Sequence, residues 1–174
     1  MEQDRPKGVI RYSMEYAIYF GLLLIIKTVL ASFVTKSMFV GMLMFFVVPM
    51  IPVVGFILTK RFRDVSGFSK FANIFLFGLT MYFFASLLSG LFDYLYYQYI
   101  NPEFFQEQIS SLNGVMQELI NSGSITDGEL IEELNKEMPS TPIQTVIQGI
   151  WGTFILGAIY SLFLALILFK RQSK

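Results

Sequence analysis

MFVGMLMFFVVPMIPVVGFIL, residues 38–58, runs for twenty-one positions without a charged side chain. At about 1.5 Å per residue, a helix of that length crosses the roughly 30 Å hydrocarbon core of a bilayer. A strand of this length without strict alternation is not expected, and in lipid only a helix or a closed barrel satisfies its own backbone. Three more stretches, 14–34, 71–97 and 143–169, read the same way. The expected fold is all-α: a polytopic membrane protein whose four transmembrane helices form one bundle within a single domain, residues 1–174. An acidic helical hairpin, residues 98–142, is expected on the outer face between the third and fourth helices.

Composition agrees with that class. A hydrophobic fraction of 54%, 19 Phe in 174 residues and a mean hydropathy of +0.57 exceed what a soluble domain of this size carries. The chain has no Cys and no His. That removes disulfides, thiolate and imidazole metal sites, and Cys- or His-based catalysis. No catalytic, cofactor-binding or metal-ligating residues are assigned, and no cofactor is expected. Pro49 and Pro52 lie inside the second stretch, where each removes a backbone donor and is expected to bend the helix without breaking it. The first stretch is longer than a signal-peptide core, contains Lys27 and lacks a small-x-small cleavage site, so it reads as a permanent helix.

The basic residues set the expected orientation. Arg5, Lys7 and Arg11 precede the first helix, Lys60, Arg61, Arg63 and Lys70 follow the second, and Lys170, Arg171 and Lys174 close the chain. These ten face only Lys36 and Lys136 on the other side. The positive-inside rule then puts both termini and the middle loop in the cytoplasm. Tyr12, Tyr16 and Tyr19 suit the inner boundary; Tyr94, Tyr96, Tyr97, Tyr99 and Trp151 suit the outer one.

Residues 98–142 carry eight acids against Lys136 alone. Phe105, Ile109, Leu112, Met116 and Leu119 recur at three- and four-residue steps, which marks one face of a helix after Pro102. Asn121-Ser122-Gly123 ends it, and the capping-box pair Thr126 and Glu129 opens a second helix that Pro139 closes. This segment is either a solvated cap over the bundle or a surface for a cation or basic protein partner.

Two further features stand out within the spans. Gly149, Thr153, Gly157, Ser161 and Ala165 fall at four-residue intervals, a strip that admits a close backbone, either within the chain or across a homodimer. Lys27 and Asp93 are the strongly ionisable residues well inside the spans, each near the outer end of its helix. They form an ion pair, or else Lys27 snorkels outward and Asp93 lies among the headgroups.

Arg61-Phe62-Arg63-Asp64, then Gly67-Phe68-Ser69-Lys70-Phe71 and Gly78, then Tyr94-Leu95-Tyr96-Tyr97-Gln98-Tyr99-Ile100-Asn101-Pro102-Glu103-Phe104 are the residues that carry a family likeness. Over nearly its whole length the chain resembles an uncharacterised bacterial membrane family, domain of unknown function 4199. The resemblance implies four helices with an outer insertion between the third and fourth, and no catalytic residues. The family pattern often has Asp before the outer proline, where this chain has Asn101.

The expected function is that of a non-enzymatic inner-membrane protein engaged in interaction, scaffolding or assembly. The alternative is an oligomeric transport or channel component using Lys27 and Asp93. Membrane lipid is the expected partner, a homo-oligomer and a protein at the acidic segment are further candidates, and nucleic acid is not expected.

Overall fold

The computed structural model describes residues 8–34, 36–123, 139 and 141–169. Among these residues every regular element is helical: α1 (Val9–Ala31), α2 (Met38–Ser66), α3 (Phe71–Leu95), a π turn (Tyr96–Ile100), α4 (Pro102–Asn121) and α5 (Pro142–Leu168). α1, α2, α3 with the π turn, and α5 are each long and apolar enough to cross a membrane. The protein is a membrane protein with four candidate spanning helices.

The helix ends follow backbone chemistry more closely than hydropathy. α1 begins five residues before the apolar run starts at Met14, so Arg11 is already helical, and it ends at Ala31, short of Val34. α2 passes beyond Leu58 to Ser66 and takes the cluster Lys60-Arg61-Phe62-Arg63 into the helix, where a loop was expected. Nothing in those residues breaks a helix. Termination waits for Gly67, which adopts the left-handed conformation (φ 72°) and donates its N–H to the Arg63 carbonyl at 3.2 Å. Pro49 and Pro52 are both accommodated within one continuous helix.

The chain divides into two compact units, residues 1–92 with 149–174, and residues 93–148. In the first unit, the buried residues of α1 are Ser13, Ala17, Phe20, Gly21, Leu24 and Thr28, one face at helical spacing. α3 buries a much broader face, from Ile74 through Gly90, and is the helix about which the others gather. The core is aromatic: Phe62 of α2 stacks on Phe77 of α3 with ring centroids 4.0 Å apart, Tyr12 and Tyr16 meet these rings edge-on, and Phe20 meets Tyr82 at 4.8 Å. α2 buries only Gly55, Thr59 and Phe62, all in its second half.

In the second unit, the π turn closes with the Asn101 N–H donating to the Tyr96 carbonyl at 2.8 Å. Tyr96 and Tyr97 pack on Phe104 and Phe105 of α4 and are buried; of the expected boundary tyrosines, Tyr99 stays exposed. On α4, Phe105 and Met116 are buried while Leu112 and Leu119 of the same face are exposed. The second helix expected from Thr126 lies outside the described residues.

Candidate functional site

With no hydrophobic drive between helices in lipid, close packing and interhelical hydrogen bonds hold a membrane bundle together. Among the described residues, α3 and α5 approach each other closely at two glycines. A Cβ placed on Gly157 would run into the Tyr82 ring, and one on Gly78 into the Ser161 side chain. The Ser161 hydroxyl turns back to donate to the Gly157 carbonyl at 2.6 Å, and Ala165 is fully buried beside Ile74, Leu164 and Leu168. At the other end of the four-residue strip, Thr153 is half-buried, and Gly149 is exposed with open space where its Cβ would stand. A four-residue step overshoots a 3.6-residue turn by about 40°, so the strip winds round the helix and cannot face α3 throughout.

Polar contacts fasten the first unit where hydropathy gave no signal. Thr80 of α3 donates to Ser13 Oγ of α1 at 2.6 Å, and the Ser13 hydroxyl lies within reach of the Phe77 carbonyl (3.2 Å) and of Val9 (2.9 Å) on its own helix. Tyr160 of α5 donates to the Pro52 carbonyl of α2 at 2.8 Å. Arg63 of α2 reaches the Leu168 carbonyl at the end of α5 at 3.3 Å and contacts Asp64 at 2.7 Å; its side chain is only 16% exposed. A cation at a helix C-terminus meets carbonyls that have no partner in their own helix. Arg63 therefore does structural work beyond carrying charge.

At the same basic end, α1 and α2 part to leave a cleft of about 570 Å³. Glu15, Tyr16, Ile18 and Tyr19 line it from α1, and Leu58 and Arg61 from α2. Arg61 and Tyr19 are exposed, while Glu15 contacts Arg11 one turn earlier at 3.8 Å. Lys27 is half-buried on α1 in the first unit. Asp93 is half-buried on α3 where the second unit begins, and its Oδ1 is fully buried.

A family model described as a protein of unknown function (DUF4199) matches residues 15–170, nearly the whole chain. The chain belongs to this family. No curated protein and no solved structure matches it. The DUF4199 match takes in all six cleft residues and the whole α3–α5 seam. It also covers Asn101, whose side-chain oxygen accepts from the Phe104 N–H at 3.2 Å and caps α4. Asp and Asn cap helices about equally well, so the Asp that the resemblance leads one to expect here would serve the same role. Sequence reasoning missed Arg63, Ser13 and Thr80 as interhelical anchors. The Ser and Thr in apolar runs were the available signal, but their partners depend on which helices adjoin.

Proposed function

We propose that this DUF4199 protein is a non-enzymatic interaction or assembly component of the bacterial inner membrane, with both termini cytoplasmic, and that it works as a homo-oligomer. The observation that carries this reading is the first half of α2. From Met38 to Val54 no residue is buried, and Phe45 is 78% exposed. Lipid alone satisfies apolar side chains, but this stretch has a second need. Pro49 and Pro52 have no N–H, so the Phe45 and Val48 carbonyls lack the donors that a regular helix supplies four residues on. These carbonyls lie about 10 and 15 Å along the helix from Met38, at the depth of hydrocarbon, where an unsatisfied polar group costs several kcal/mol.

A second copy supplies a matching donor. Trp151 of α5, expected at the outer boundary, is 59% exposed and stands eight residues into the apolar run that begins at Ile143, against seven and ten for Phe45 and Val48 from Met38. Under this proposal its indole N–H lies at their depth and not at the boundary. An α2–α5 contact between copies pairs the two needs. The ten-to-two distribution of basic residues supports the orientation. The test is the oligomeric state of the full chain in nanodiscs, by crosslinking and mass, for the wild type and Trp151→Phe. Wild-type dimers that dissociate in Trp151→Phe support the reading; a wild-type monomer at every protein-to-lipid ratio overturns it.

A further inference from the structure

We infer that the cleft between α1 and α2 is a binding site for one ethanolamine phospholipid. The inference is independent of the oligomer proposed above, because all six lining residues belong to one chain and one unit. The cleft's volume of about 570 Å³ lies in the range of small-molecule sites. Among the described residues its lining offers one carboxylate, one guanidinium, two phenol rings and two aliphatic side chains.

Each group has a counterpart in an aminophospholipid. The planar Arg61 guanidinium matches a phosphate with two parallel N–H donors. Glu15, an acceptor only, matches an ammonium that donates three hydrogens. Tyr16 and Tyr19 suit the headgroup level, where tyrosine gathers in membrane proteins. Ile18 and Leu58 flank the glycerol and the first methylenes. The Arg11 contact leaves the Glu15 side chain 43% exposed, and an exposed pair of this kind is weakly held.

The acid is what narrows the ligand. A basic membrane flank alone attracts any anionic lipid. A purely anionic headgroup in this cleft meets the Glu15 carboxylate, whereas a choline headgroup offers it no N–H. Ethanolamine satisfies both charges at once. Free phosphoethanolamine shares the headgroup chemistry but lacks the part that Ile18 and Leu58 would contact.

Native mass spectrometry of the full chain in detergent decides among these ligands. It is titrated with phosphatidylethanolamine, phosphatidylglycerol and phosphatidylcholine of one acyl composition, and with phosphoethanolamine. The expected result is a one-to-one complex with phosphatidylethanolamine about tenfold tighter than with the other three, one well-formed charge-assisted contact being of that size. Arg61→Gln weakens all three lipids, whereas Glu15→Gln removes the preference for ethanolamine over glycerol and Glu15→Asp retains it. Melting temperature is read on each variant, and both side chains are exposed enough that the fold is retained. Equal binding of the ethanolamine and glycerol lipids by the wild type overturns the proposal. So does an unchanged Arg61→Gln, or phosphoethanolamine binding as tightly as the lipid.

Discussion

Replacing Gly157 by Ala is the sharpest probe of how α3 and α5 meet. The added Cβ falls on the Tyr82 Cβ, Cγ and Cδ1 atoms, which are tied to the α3 backbone and cannot swing aside as a flexible tip would. One extra methyl in a packed site costs about 1–3 kcal/mol. Gly-to-Ala exchange within a helix also returns up to about 1 kcal/mol of propensity, which blurs the reading of Gly157→Ala alone. Gly149→Ala cancels that term. It lies on the same helix, carries the same propensity gain, and its Cβ meets nothing within 4 Å. The difference between the two variants is therefore steric. At about 2–4 °C per kcal/mol for a chain of this size, Gly157→Ala should melt about 2–12 °C below Gly149→Ala. The assay is far-UV circular dichroism melting in one detergent. In a Tyr82→Ala background the gap should close, since the ring that opposes the methyl is gone. Equal melting of the two single variants would refute the packing argument.

Two other perturbations follow. Arg63→Gln removes a cation from the α5 carbonyl end, and the expected loss is about 1 kcal/mol, read as a lower melting temperature, with Lys60→Gln on the exposed side of α2 near neutral. The ion pair expected between Lys27 and Asp93 predicts that Lys27→Met and Asp93→Asn are not additive in a melting cycle, by at least about 0.5 kcal/mol; additive losses mean no pair.

The four spans were legible because lipid imposes both a minimum apolar length and a self-satisfied backbone, and residues 38–58 meet both demands in plain sequence. Helix ends were not, since hydropathy falls at Lys60 whereas the helix stops only at Gly67, where the backbone turns left-handed. The small residues of α5 were visible as a strip, yet Gly157, Ser161 and Ala165 pack while Gly149 does not, because helical rotation carries the strip away from its neighbour. The cleft was the least legible feature. Glu15 reads as an ordinary partner of Arg11 and Arg61 as one of a basic run; only the adjacency of α1 and α2 puts them on one surface.

The proposed topology has the basic flanks of the four spans inside and residues 98–142 outside. A chain without native Cys allows this to be read directly by labelling with a membrane-impermeant maleimide. Ser110→Cys, exposed on α4, should label in intact spheroplasts, and Ser69→Cys, between α2 and α3, only after lysis. Labelling of both positions from the same side would contradict the account.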